Sequence, residues 1–128
     1  MLTYVGKGYT AAFTTNYNII MERLLQGEDI LIISGPDDLC APLLDQAAAH
    51  CFRKSVIERD LLAARDIGKL LACRIETGSR ITLDPEILHH MRKGFANGDL
   101  RTACTGCEWN ALCSSVAIND YDGVHIRM

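Results

Sequence analysis

No run of apolar residues in this sequence approaches the roughly 20 that a bilayer-spanning helix needs, so no membrane association is expected. The opening stretch, MLTYVGKGYTAAF, lacks a positively charged segment followed by an apolar one, so it does not resemble a secretory signal. Both absences point to the cytoplasm. A basic surplus is missing as well: the formal net charge is −3, whereas nucleic-acid binders present a basic face, and no nucleic-acid partner is expected. Linkers, repeats and low-complexity stretches are absent, and 128 residues suit one domain spanning 1–128. The segment GKGY (Gly6 to Tyr9) lacks the G-x-x-x-x-G-K-[ST] spacing of a phosphate loop and reads as a turn before a helix. No nucleophile–base pair stands out, which ranks an enzyme last among the possible roles.

What the chain does have is a hydrophobic content of 48%, enough for a sizeable core. Phe13, Tyr17, Ile20, Met21, Leu24 and Leu25 share one helical face, and Gly27 follows as a stop. DILII (Asp29 to Ile33) reads as a short buried strand, broken by the turn chemistry of SGPDD. Asp37 or Asp38 would cap a short helix beginning near Leu39. Ser55 and Glu58 form an S-x-x-E capping box ahead of a helix with Ile57, Leu61, Ala64, Ile67, Leu70 and Leu71 on its apolar face. RITL reads as a short strand, and Asp84–Pro85 opens a helix through Ile87, Leu88, Met91 and Phe95 that Asn97–Gly98 ends. A last helix is expected from Glu108 through Val116, with Trp109, Leu112 and Val116 facing inward, and DGVHIRM follows as a short strand. The fold class is α+β: a small, mainly helical domain with two or three short strands.

The sequence holds six cysteines, and CTGCEWNALC places three of them within one short segment. In a reducing compartment, thiols gathered in this way more often bind metal or do redox chemistry than form disulfides. Cys104 and Cys107 form a C-x-x-C whose spacing lets two thiolates chelate one centre, and Cys113 follows six residues later. If Cys107 starts the last helix, free backbone N–H groups and the helix dipole favour its thiolate. A closed zinc or iron–sulfur site needs four protein ligands, so the cluster must recruit from elsewhere. Cys40 follows the GPDD turn and Cys51 follows His50; both lie at ends of elements, where side chains can converge. His50, beside Cys51, reads as an exposed loop histidine, with substitution for a cysteine ligand as the lesser alternative. Cys73, beside Leu70, Leu71 and Ala72, reads as a buried core thiol. These residue patterns leave iron–sulfur and zinc open, since four thiolates suit both.

Four segments in the same order, YVGKGYTAAFTTNYNIIMERL, DILIISGPDDLCAPL, HCFRKSVIERD and CTGCEWNALC, resemble the small bacterial and archaeal proteins of domain-of-unknown-function family 1284. The most specific pieces are GPDDLC and GCEW…LC. The resemblance implies an iron–sulfur cluster, taken as 4Fe–4S, held by Cys40, Cys51, Cys107 and Cys113. Cys104 matches a family cysteine and stands as the reserve ligand, whereas Cys73 matches none. Many members carry a second cysteine three residues after the position of Cys40, where this chain has Leu43. Members also commonly begin with an Arg-Gly-His-His-like stretch ending in cysteine, which implies a native start upstream of Met1. The resemblance tips the choice to iron–sulfur, with a structural zinc-binding interaction domain as the alternative. The partner implied is a redox or other protein partner that the sequence does not specify.

Other residues bear on the site. Arg53 and Lys54, beside Cys51, would either offset the charge of a thiolate-ligated cluster or simply be solvated. His89 and His90 are adjacent on a helix and so point to different faces. Trp109 lies between Cys107 and Cys113, where its indole would pack in the core and shield the site from water.

Overall fold

The structure, a computed structural model, describes residues 1–43 and 54–128. Its first helix, α1, spans Ala11–Leu25. Thr10 starts it by accepting a hydrogen bond from the Phe13 N–H at 3.0 Å, which satisfies one of the free donors of the first turn. Gly27, at φ +94°, carries the chain off its end, as the sequence predicts. Strand β1 (Ile30–Leu31) pairs antiparallel with β2 (Arg80–Ile81), Ile30 opposite Ile81 and Leu31 opposite Arg80. The expected buried strand is therefore a short ribbon with one face to solvent: Leu31 and Ile33 are 47% and 45% exposed. A ribbon with a single covered face can bury only alternate residues. After the turn, Asp37 accepts from the Leu39 N–H at 2.9 Å and leads into a 3₁₀ turn, Ala41–Leu43, where the described residues pause.

Helix α2 spans Lys54–Leu71. Lys54 is already helical, so Ser55 lies inside the helix and the predicted capping box does not start it. Only the C-terminal half of α2 reaches the core: Ile67, Leu70 and Leu71 pack there, while Ile57 and Leu61 stay 47% and 68% exposed. The helix ends with Ala72 in the left-handed region at φ 53°, the Cys73 N–H bonding back to the Gly68 carbonyl at 3.0 Å. That turn swings Cys73 out to solvent, which corrects the expectation of a core thiol.

Helix α3 (Pro85–Asn97) follows its sequence signals residue by residue. Asp84 accepts from the Ile87 N–H at 2.7 Å, Pro85 occupies the first turn, and Gly98 at φ +93° closes the end. Leu88, Met91 and Phe95 form its buried face. A second 3₁₀ turn, Thr102–Cys104, leads to α4 (Asn110–Ile118). This last helix starts two residues later than predicted, with Trp109 at its N-cap position; Trp109 and Leu112 are half-buried and only Val116 is fully covered. The tail forms no strand. Instead Val124 and Ile126 plug into the core at 5% and 0% exposure, and the His125 N–H donates to the Tyr4 carbonyl at 3.0 Å.

The core joins these pieces through Tyr4, Met21, Leu24, Leu83, Leu88, Met91, Phe95, Leu100 and Ile126. Four helices with a two-stranded sheet among the described residues make the mainly helical α+β fold that the patterning predicts. No helix among the described residues is long and apolar enough to cross a membrane.

The end of α2 supplies a paired test. Ala72→Gly removes a left-handed Cβ and should stabilise the protein by about 0.5–1 kcal/mol. Gly68→Ala should destabilise it, because a Cβ there would lie 2.7 Å from the Cys73 carbonyl oxygen. That clash opposes the roughly 1 kcal/mol gain in helix propensity. Urea-unfolding midpoints of the two variants should move in opposite directions.

Candidate metal centre

Cys104 ends the Thr102–Cys104 turn, and the start of that turn is held from across the molecule. Asp66 on α2 is only 6% exposed, and its carboxylate accepts the Thr102 N–H at 3.2 Å. A buried carboxylate needs such a partner, and an orphan N–H at the start of a turn needs such an acceptor. The chain then turns tightly: the Cys107 N–H bonds to the Cys104 carbonyl at 3.1 Å, with Gly106 at φ +74°. A side-chain carbon at Gly106 would lie 3.7 Å from the Arg59 guanidinium, so α2 presents a cation directly to the C-x-x-C loop. Arg59 makes no ion pair among the described residues.

Arg101 secures the other side of the segment. Its Nη2 donates to the Asn110 side-chain oxygen and to the Ser114 hydroxyl (3.1 Å), and its guanidinium lies over the Phe95 ring at 4.3 Å. These contacts fasten the first turn of α4, where Cys113 sits. Cys113 Sγ accepts a hydrogen bond from the Thr3 hydroxyl at 3.2 Å, which ties the N-terminal segment to the same place. Cys104 and Cys113 both pack against the core and Cys107 is half-buried; none of the three is in a disulfide. Since α4 begins at Asn110, Cys107 precedes the helix and does not sit at its first free N–H groups, contrary to the expectation.

The remaining predicted residues divide clearly. Cys40 is half-buried immediately before the Ala41–Leu43 turn, its N–H bonded to the Asp37 carbonyl at 3.0 Å. Cys51, His50 and Arg53 lie outside the described residues. Lys54 is 90% exposed and 3.8 Å from Glu58, so it is a solvated surface charge. His89 and His90 are exposed, and the His90 ring lies 3.2 Å from the Leu70 carbonyl oxygen. Trp109 is not a core residue; its ring meets Tyr9 edge-on at 5.4 Å. Tyr17 stacks on Tyr4 at 3.8 Å and accepts a hydrogen bond from the Met1 amine at 2.8 Å. Burial, with the nearby Tyr4, Asp37 and Cys113, pushes its phenol well above the ordinary value near 10. Among the described residues, no group of three or more histidine, cysteine, aspartate or glutamate side chains is placed to hold a metal ion.

Thr3, Arg59, Asp66 and Arg101 are the residues that sequence reasoning missed. One signal was available: Asp66 falls four residues from both Leu62 and Leu70, a charge set within a helical apolar stripe. Arg59 lies seven residues before it on the same face.

Comparison with known families matches residues 8–113 to the family described as "Protein of unknown function (DUF1284)". The chain belongs to this family. The match covers α1, both strands, α2 and α3, and it ends at Cys113, so every cysteine falls within the family region. No curated protein and no solved structure matches the chain significantly. Membership supports the resemblance read from GPDDLC and GCEW…LC; the family description itself assigns no cofactor.

Two measurements probe this arrangement. Asp66→Ala strands the Thr102 N–H and should destabilise the protein by about 1–3 kcal/mol, whereas Asp66→Asn keeps an acceptor and should lose less. Amide hydrogen exchange at Thr102 should accelerate in the alanine variant first. Tyr4, Tyr9, Tyr17 and Tyr121 all have phenols raised above their ordinary value near 10 by burial. Below pH 10 both folded and unfolded states keep these protons, so the contribution is complete. Above it the unfolded chain ionises first, and stability falls as pH rises. Thermal midpoints should decline from about pH 10 upward.

Proposed function

We propose that this protein binds an iron–sulfur cluster of the 4Fe–4S type through Cys40, Cys51, Cys107 and Cys113, with Cys104 in reserve. It would serve in electron transfer, sensing or structural support inside the cytoplasm. The observation that carries the reading is the anchoring of residues 104–113. Asp66, Arg101 and Thr3 hold three half-buried thiols on one short segment, in no disulfide. Thiolates are the ligands such clusters take, and hydrogen bonds to sulfur are among the levers that set their potential. The Thr3 hydroxyl supplies one to Cys113. Arg59, against Gly106, is placed to offset part of the negative charge that a thiolate-ligated cluster carries.

The described residues alone do not complete a ligand set, so the reading needs Cys51 and the approach of the Cys40 turn. Metal binding itself provides the driving force for that closure, because the free energy of ligation is also free energy of folding. Bound, the cluster would supply one-electron chemistry; the cysteines would hold it and the Thr3 hydroxyl would donate to the Cys113 sulfur.

Anaerobic reconstitution with iron and sulfide should give a brown protein with stoichiometric iron and acid-labile sulfide. Cys107→Ser and Cys113→Ser should each lose most of the colour. Cys73→Ser should keep it, since that thiol lies exposed at the end of α2. A colourless protein carrying one zinc per chain would replace this reading with the structural zinc domain, and a protein that takes up neither would refute both.

A further inference from the structure

Only four tyrosines, three phenylalanines and one tryptophan occur in the chain, and five of these eight rings border one small cavity. Tyr4 stacks on Tyr17 at 3.8 Å; Phe13 meets Tyr17 edge-on at 5.7 Å, Tyr9 meets Phe13 at 5.4 Å, and Trp109 meets Tyr9 at 5.4 Å. The rings make a continuous wall from the N-terminal segment to the start of α4. The cavity they bound holds about 170 Å³. Glycine at position 8 is required for that wall: a Cβ there would lie 2.5 Å from the Phe13 ring.

The polar groups along the wall already have partners. The Tyr4 hydroxyl donates to the Asn18 side chain at 2.7 Å, Tyr17 accepts from the Met1 amine at 2.8 Å, and Thr3 is engaged with Cys113. Lys7 differs. It lines the cavity, is exposed, and makes no ion pair among the described residues.

We propose that this cavity binds a small aryl carboxylate: one six-membered aromatic ring among the five rings, with its anionic group at Lys7. Size supports a single ring, since an apolar protein cavity of about 150 Å³ accommodates benzene. Aromatic walls favour a planar guest through edge and offset contacts that add to its burial. Aromatic-lined pockets also take quaternary ammonium groups. Here the Lys7 charge opposes a cation and attracts an anion. The proposal does not rest on the cluster: the cavity borders the cysteine segment through Thr3, Trp109 and Leu112, but the guest needs only the rings and Lys7.

Trp109 is the single tryptophan and part of the wall, so its fluorescence reports occupancy directly. Benzoate should change that emission saturably, benzyl alcohol more weakly, and benzylamine least. Lys7→Ala should weaken benzoate about three- to tenfold and leave benzyl alcohol unchanged, as expected for loss of one partly screened charge contact. Leu112→Phe, which fills the cavity from α4, should abolish both responses while circular dichroism stays native. Calorimetry on metal-free and cluster-loaded protein should agree with the fluorescence, which keeps this test separate from that of the cluster. Absence of saturable binding, equal affinity for benzylamine, or no effect of Lys7→Ala on benzoate would each overturn the assignment.

Discussion

Asp66 buries a carboxylate in the middle of α2, and the cysteine-bearing half of the molecule is arranged around it. Removing a carboxylate from water costs several kcal/mol unless hydrogen bonds replace the lost solvent. The Thr102 N–H replaces some of it, and Arg65 adds a longer contact of 3.7 Å from the surface. In return the carboxylate settles where the 3₁₀ turn begins, and with it the approach of Cys104. Loss of that one acceptor would release the start of the segment, leaving Arg101 and Thr3 to hold its far end. It would also loosen the path along which Arg59 reaches Gly106.

A second clasp centres on α3. Arg92 on α3 donates through one nitrogen to the Ile126 carbonyl at 2.7 Å and the Leu2 carbonyl at 3.3 Å, and its guanidinium lies 5.1 Å from the Tyr121 ring centre. One cation therefore gathers the N-terminal segment and the tail onto the same helix. Tyr4 completes the closure by accepting the His125 N–H, stacking on Tyr17 and packing into the core. This is why residues before α1 and after α4 are buried although neither forms regular structure. It is also why Thr3 arrives beside Cys113, 110 positions away.

Local signals were legible wherever the partner was close in sequence. The α3 helix was readable from Asp84 to Gly98 because cap, proline and closing glycine act within one turn. The end of α1 and the existence of both short strands were readable for the same reason. Cys73 is exposed despite its apolar neighbours, because their helix ends just before it and a left-handed alanine turns the next residue outward. Ile57 and Leu61 carried the right periodicity but the wrong burial: a period states which residues share a face, not whether anything covers it.

The amino-acid order by itself determined the helical α+β class, the family, and the grouping of Cys104, Cys107 and Cys113, because each is written in contiguous residues. Tertiary structure alone decided which charges stand beside those thiols. Arg59, Asp66, Arg101 and Thr3 reach the segment through side chains from other elements, and no local periodicity encodes a meeting of that kind. The aromatic wall belongs to the same class. Its rings lie on the N-terminal segment, α1 and the start of α4, and only the burial of Tyr4 and Tyr17 against the core brings them to one cavity.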